Sequence, residues 1–155
     1  MIKLPNSYFL EIEKHILARF RGFRQSKINP LESGGILMGK KIGEIFLIDF
    51  VSTPGAGDKR KFNRFIRNKK RAQEIIIRER EKTNNRRIYL GEWHTHFEEI
   101  PTPNSLDLKE WKLTFDSSLL NIDFMVCIVV GFKGELFNLY LGIQTSASHI
   151  KVVGS

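Results

Sequence analysis

The sequence has few of the features that mark an exported or membrane protein. Its 155 residues include one cysteine, Cys127, so no disulfide can form within the chain. Its apolar runs fall short of the ~20 residues that a membrane-spanning helix needs. Residues 1–14 mix charged and apolar side chains and do not follow the pattern of a secretory signal. We therefore expect an intracellular, cytoplasmic protein that does not enter a membrane.

Positive charge is abundant but unevenly distributed. The formal net charge is +8, and residues 58–87 alone hold thirteen Lys or Arg against four Asp or Glu. Such a segment can attract nucleic acid, an acidic protein or anionic lipid, or it can be a solvated helix face with its flanking loops. Its only aromatic residues are Phe62 and Phe65, whereas single-stranded nucleic acids are usually bound by stacking on aromatic side chains. The solvated face is therefore favoured, and nucleic-acid binding stays an alternative.

Apolar spacing predicts one α/β domain of the α+β type over residues 1–155, long enough to bury its own core. The first predicted element is a helix that is capped by Asn6 or Ser7 and ends near residue 23. The predicted elements that follow are strands 34–39 and 44–51, a loop at 54–58, a helix at 68–82, a strand at 88–96, a helix from Asn104, and strands 123–131, 135–142 and 150–153.

The chemistry is concentrated around two histidines in the predicted strand 88–96. Side chains alternate along a strand, so His94 and His96 point to the same side and can bind one metal ion together. Asp107 follows eleven residues after His96 and adds a carboxylate oxygen. Two imidazoles, one carboxylate and a free position for water are typical of catalytic zinc sites. A His-x-His pair alone also occurs on ordinary strands, so the surrounding sequence decides its meaning.

The segment between the histidines and Asp107 favours a loop that folds back toward the strand. Pro101 and Pro103 lack backbone donors and restrict their neighbours, which excludes regular structure there. Asn104 suits a helix cap, and Asp107 then lies in the first helical turn.

A catalytic zinc site of this kind favours a hydrolase. Hydrolysis of an amide bond also needs a carboxylate that accepts a proton from water and passes it to the leaving amine. Glu32, just before a pair of glycines, is the best-placed candidate.

Together these segments resemble the JAB/MPN metalloprotease family, also called JAMM, and in particular its short bacterial members. The resemblance covers most of the chain, and the matching segments are ESGGILMG at 32–39, GEWHTH at 91–96, PTP at 101–103, Asp107 and Trp111. It implies a curved mixed sheet packed by helices and related to the deaminase fold. A deaminase itself is disfavoured, because its zinc site needs a Pro-Cys-x-x-Cys motif and this chain has one cysteine.

The resemblance also implies roles for individual residues. His94, His96 and Asp107 would hold one Zn²⁺ per chain. Glu32 would be the general base that later protonates the leaving amine.

Two positions depart from the family pattern. Phe97 stands where the family usually has proline after the second histidine. Asn104 stands where the family has a serine that stabilises the tetrahedral intermediate. An asparagine amide can also donate to an oxyanion, and Ser105, one position later, is the other candidate donor.

The resemblance implies a zinc-dependent isopeptidase or peptidase. The substrate would be a ubiquitin-like protein or another conjugated protein, cut after its C-terminus. The short bacterial forms resemble deconjugating proteases of antiviral (CBASS-type) systems built on cGAS-like nucleotidyltransferases, which also encode ubiquitin-type conjugation enzymes. The Gly-rich segment at 34–39 would suit an extended tail lying along a sheet edge. A catalytically weak or inactive binding scaffold is the alternative, favoured by Asn104 and opposed by the intact set of candidate ligands.

Overall fold

The computed structural model describes residues 1–118, 120, 122–133 and 138–152. Within them the elements are β1 (Ile2–Lys3), β2 (Phe9–Ile12), α1 (Lys14–Phe23), β3 (Gly34–Ile42), β4 (Ile45–Val51), β5 (Lys59–Lys61), β6 (Arg64–Ile66), α2 (Lys69–Lys82), β7 (Ile88–Thr95), α3 (Ser105–Ser117), β8 (Met125–Val130), β9 (Leu139–Gln144) and β10 (His149–Lys151). Across these described ranges, no helix has both the length and the apolar character needed to span a bilayer.

Eight strands form one curled mixed sheet in the order β1-β2-β4-β3-β7-β8-β9-β10. The pairs β2/β4 and β7/β8 are parallel, and the other neighbours are antiparallel. The strands β5 and β6 form a separate two-stranded hairpin. The predicted fold class, a mixed sheet packed by helices, is confirmed. Strand β7 lies in the middle of the large sheet, between β3 and β8.

Helices cover both faces of the sheet, which explains the unbroken apolar run of β8. Alternate β8 residues pack toward α1 on one face and toward Trp111 of α3 on the other; the first group is Val126, Ile128 and Val130, and the second is Met125, Cys127 and Val129. Helix α2 packs on the same face as α3, where Ala72 and Ile75 meet Ile36 and Met38 of β3.

Strand β7 divides its side chains between these two faces. The Trp93 ring lies 5.0 Å from Phe20 of α1, centroid to centroid. The His94 ring lies 5.6 Å from Trp111 of α3, on the opposite face. Alternation then places Thr95 on the α1 side and His96 on the α3 side.

The prediction of a helix starting at a cap on Asn6 or Ser7 is wrong. Residues 9–12 are strand β2, which pairs in parallel with β4, and α1 begins at Lys14 after Glu13. Ser7 instead takes a left-handed turn with φ 71°. The apolar residues of this short segment fit strand alternation as well as helical spacing. Pairing with β4 decides between the two, because it satisfies the backbone of a segment whose Leu10 is fully buried.

After α1, the elements agree with the predicted ones except at one hairpin. Helix α2 begins after its Asn68 cap and ends at Lys82, as predicted. The hairpin β5–β6 was not predicted, because three-residue strands within a basic segment resemble a loop. The predicted strands at 135–142 and 150–153 correspond to β9 and β10, and their residues 135–137 and 153 lie outside the described residues.

Candidate active site

The two histidines lie at the end of a strand that is paired on both sides. His94 is in register with Gly34 of β3 and Val129 of β8. The side chains of His94 and His96 are mostly buried and their ring centroids are 5.0 Å apart. Because the strand cannot shift without breaking two ladders, the spacing of the imidazoles is set by the sheet. Residues 37–39 pair with both β4 and β7, whereas Gly34 and Gly35 pair with β7 alone, so the expected tail placement along this segment stays a prediction.

Asp107 is positioned by the first turn of α3. The Asn104 Oδ1 accepts a hydrogen bond from the Asp107 N–H at 2.8 Å, and the Asn104 N–H donates to Asp107 Oδ2 at 2.9 Å. This reciprocal capping box fixes both the helix start and the rotamer of the aspartate. The predicted cap at Asn104 is confirmed. The carboxylate of Asp107 is therefore held rigidly in front of β7.

Four side chains meet at this point. Asp107 Oδ1 lies 3.1 Å from His94 Nε2, and Asp107 Oδ2 lies 3.2 Å from His96 Nε2. Glu32 Oε1 lies 3.5 Å from His96 Nε2. Glu32, His94 and His96 each offer a ligand atom within 4.8 Å of the others, so this group could hold a metal ion. The ligand and base roles predicted for these four residues stay predictions.

Two observations fit a cation at this position. Within the described part of the chain, the buried His94 Nε2 has no hydrogen-bond partner, because Asp107 lies outside hydrogen-bond geometry. An unsatisfied buried nitrogen needs a partner, and a metal ion would provide one. The His96 Nδ1 lies 2.9 Å from Glu98 Oε1. Metal-bound histidines characteristically make this second contact to a carboxylate, which directs Nε2 toward the metal. The donor set of two imidazoles and a carboxylate suits zinc.

Burial and mutual charge shift the pKa values of this cluster. Burial, opposed by His96 and reinforced by Asp107 and Glu110, raises the pKa of Glu32 to about 8. Burial alone would lower the pKa of His96, but the adjacent Asp107 carboxylate, with Glu98 and Glu32 beside it, raises this pKa to about 9. Burial acts upward on Asp107 too, yet the neighbouring imidazoles hold its pKa well below the usual range. In the absence of a metal these shifts favour the protonated forms of Glu32 and His96, and a bound cation would compete with those protons.

A cleft of about 260 Å³ opens beside these residues. Residues of the β5–β6 hairpin and of helix α3 line it, together with Glu32, His94 and Asp107. Arg64 of the hairpin and Glu110 of α3 form an ion pair of 2.5 Å. This pair connects the two walls. The volume suits an extended chain segment with one or two side chains and is far too small for a folded domain.

The two predicted oxyanion donors lie at the edge of this arrangement. Asn104 and Ser105 are exposed, and the residues that line the cleft do not include them. The side-chain oxygen of Asn104, Oδ1, already accepts the bond of the cap. The side-chain nitrogen, Nδ2, is therefore the group that can donate to an oxyanion. Their assignment to the oxyanion stays a prediction.

Several residues that position the site were missed in the sequence. Arg60 of the hairpin donates through Nε to the Glu32 carbonyl at 3.0 Å, and the Lys61 carbonyl accepts from the Glu32 N–H at 2.8 Å. No local pattern signals these contacts, because they depend on how the hairpin docks. Glu98 could have been found, since a carboxylate two residues after a candidate ligand can reach its imidazole. Gln25, buried behind the histidines, carries no sequence signal.

Comparison with known proteins shows the family. No family model matches the chain. Three proteins named CD-NTase/cGAS isopeptidase do match: from Escherichia coli (31% identity over 122 residues, 79% of this chain and 76% of the relative), Vibrio cholerae (31% over 119 residues, 77% and 74%) and Pseudomonas aeruginosa (36% over 107 residues, 68% and 67%). The chain therefore belongs to the CD-NTase/cGAS isopeptidase family, a family of hydrolases. The resemblance to a family of deconjugating isopeptidases, predicted from the sequence, is confirmed.

A likeness to a solved structure supports the fold alone. A Desulfitobacterium hafniense protein with a known solution structure is similar at a TM-score of 0.64 and 14% identity. The match covers 92% of this chain and 89% of that protein.

Proposed function

We propose that this protein is a zinc-dependent isopeptidase that releases a conjugated protein from its target lysine. The substrate class is a cGAS-like nucleotidyltransferase or a ubiquitin-like protein joined through its C-terminus, in bacterial antiviral defence. The observation that carries the proposal is the convergence of Glu32, His94, His96 and Asp107 beside a cleft that three of them line. Membership of an isopeptidase family supports the same reaction class.

His94, His96 and Asp107 are the residues that would hold Zn²⁺. Asp107 is the preferred third ligand because it contacts both imidazoles, whereas Glu32 contacts only His96. When bound, the ion supplies Lewis acidity, which polarises a carbonyl group and lowers the pKa of water. The capping box and Glu98 hold their respective ligands in place before any ion arrives.

Glu32 is the proton carrier of this proposal. Hydrolysis forms a bond between the water oxygen and the scissile carbonyl carbon, and it breaks the bond between that carbon and the lysine nitrogen. The carboxylate of Glu32 accepts the proton lost by water and returns it to the leaving amine. Without a metal, burial raises the pKa of Glu32 to about 8, and a cation bound beside it would lower that pKa and favour the carboxylate that accepts a proton. The Asn104 amide or the Ser105 hydroxyl would stabilise the oxyanion.

The basic segment supports this reading better than the nucleic-acid alternative. Many of its arginines are committed to carboxylates of the fold. Arg64 pairs with Glu110, Arg67 with Glu92, Arg71 with Asp58, and Arg87 with Asp49 and Glu79. These cations hold the hairpin and α2 in place, so the charge of the sequence overstates what is free to attract a polyanion.

Metal content tests the proposal first. Purified wild-type protein is expected to hold one zinc per chain, and His94→Ala and Asp107→Ala are expected to lose it. The functional assay uses a cGAS-like nucleotidyltransferase fused through its C-terminus to a reporter protein, with Glu32→Gln as the inactive control. A chain that takes up no zinc after supplementation would overturn the metalloprotease. If the protein binds zinc but cleaves neither nucleotidyltransferase fusions nor ubiquitin-like fusions, the alternative of an inactive binding scaffold would be favoured.

A further inference from the structure

A fully buried glutamine lies behind the candidate site, on the opposite face of β7. Gln25 follows α1 and is 0% exposed. Its Nε2 donates to the Pro30 carbonyl at 2.8 Å and to the Phe62 carbonyl at 3.0 Å. Its Oε1 accepts from the Thr95 hydroxyl at 3.2 Å. Both amide hydrogens and the amide oxygen are therefore used within the protein.

The three partners of Gln25 each adjoin a functional part of the molecule. Pro30 lies two residues before Glu32, and Phe62 is in the turn of the β5–β6 hairpin. Thr95 lies between the two candidate histidine ligands. One side-chain amide thus connects the segment of the candidate base, the wall of the cleft and the metal-binding strand.

A second layer of hydrogen bonds completes the connection. The Ser33 N–H donates to Thr95 Oγ1 at 3.0 Å, and the Thr95 N–H donates to the Ser33 carbonyl at 2.9 Å. Arg60 donates to the Glu32 carbonyl and, through Nη2, to Ser33 Oγ at 2.7 Å. The Glu32 N–H donates to the Lys61 carbonyl. The backbone that carries Glu32 is thereby held on one side by β7 and on the other by the hairpin.

A polar side chain at a buried position is costly unless its hydrogen bonds are all made, and a satisfied network specifies one geometry. Catalysis is sensitive to that geometry, because a displacement of about 1 Å can reduce the rate about 100-fold. We propose that Gln25 is a positioning residue that holds Glu32 at its distance from the His94–His96 strand and anchors the hairpin to both. This inference rests on the proposed role of Glu32, but it concerns a residue that touches neither metal nor substrate.

The test compares two buried glutamines. Gln25→Met keeps the side-chain length and removes the hydrogen bonds. Gln144→Met is the matched control, since Gln144 is 3% exposed, its Nε2 donates to the Thr145 and Ser148 carbonyls in the turn before β10, and its Oε1 lies 3.1 Å from His149 Nδ1. We expect Gln25→Met to lower kcat about 10- to 100-fold with KM nearly unchanged and zinc content intact. Gln144→Met is expected to lose comparable thermal stability and keep kcat.

Amide hydrogen exchange gives a readout that needs neither metal nor substrate. In metal-free protein, Gln25→Met is expected to accelerate exchange at Ser33 and Thr95 at least tenfold relative to β8 amides, and Gln144→Met is not. If wild type neither binds zinc nor cleaves, the proposed function fails while exchange still reports on positioning. The inference would be overturned if Gln25→Met had the kcat and the amide exchange rates of wild type. It would also be overturned if Gln25→Met and Gln144→Met lost kcat to the same extent. Should Gln25→Met not fold, Thr95→Val removes the hydroxyl at constant volume and is expected to show the same changes.

Discussion

The cleft has one wall built on strand β7 and helix α3 and another built on the β5–β6 hairpin. The first wall belongs to the central sheet and is fixed by two strand ladders and a capping box. The second consists of two three-residue strands that pair only with each other and are held by side chains such as Arg60 and Arg64. From this difference and the proposed roles, we expect metal binding to depend on the first wall and substrate binding on the second, so mutations should separate the two.

Glu32→Gln gives the largest expected effect that separates binding from chemistry. The amide cannot accept the proton from water, so kcat is expected to fall about 10²- to 10⁴-fold. Zinc content should stay at the wild-type value, because the proposal makes Asp107, not Glu32, the third ligand. Metal analysis and single-turnover cleavage of the fusion check both statements. Loss of zinc in this variant would instead make Glu32 a ligand.

Glu98→Ala tests the β7 wall. Removing the carboxylate that contacts His96 Nδ1 is expected to weaken zinc affinity about 10- to 100-fold. With zinc in excess, KM for the fusion should be close to that of wild type. Competition with a chromogenic chelator measures the affinity. Glu99→Ala is the neighbouring control, and equal effects of the two variants would contradict the role of Glu98.

Arg64→Gln tests the hairpin wall. Loss of the ion pair with Glu110 frees the two sides of the cleft, and KM is expected to rise about tenfold, the equivalent of a hydrogen bond of about 1.4 kcal/mol. Zinc affinity should not change. Lys112→Gln, which breaks a similarly exposed ion pair with Asp116 on α3, serves as the matched control. A change in zinc affinity without a change in KM would reverse the assignment of the two walls.

The smallest expected effect is the pH dependence of metal-free stability. Glu32 and His96 have pKa values raised to about 8 and about 9, so between pH 5 and 9 the folded cluster holds more protons than the unfolded chain. Stability therefore falls as pH rises through this window. Asp107, with its lowered pKa, acts only below this window. The chelated protein should therefore melt at a lower temperature at pH 9 than at pH 6.

Differential scanning calorimetry at the two pH values measures this change, and Glu32→Gln supplies the comparison. The variant cannot ionise at this position, so its Tm should depend less on pH. A Tm that rises with pH in chelated wild type would show that the cluster does not hold these protons.

Predictability from sequence follows the same division between the walls. The His94–His96 pair on β7 and the Asn104–Asp107 cap on α3 are patterns within a few residues, and the structure has both elements where expected. Segments whose state depends on distant partners were mispredicted or missed. The apolar spacing of residues 9–12 also fits a helix, and their pairing with β4 makes them a strand. Residues 59–66 have the composition of a loop, and contacts such as the Arg60–Glu32 hydrogen bond hold them as a hairpin.

The sequence by itself determined the family resemblance, the candidate ligands and the candidate base, because these depend on residue types at short spacing. The tertiary structure alone decided that the Asp107 carboxylate lies within 3.2 Å of Nε2 in both His94 and His96, that the hairpin lines a cleft beside Glu32, and that Gln25 lies behind them. The physical reason is range. Alternation and capping act between near neighbours, whereas burial and shared hydrogen bonds arise only when distant segments pack together.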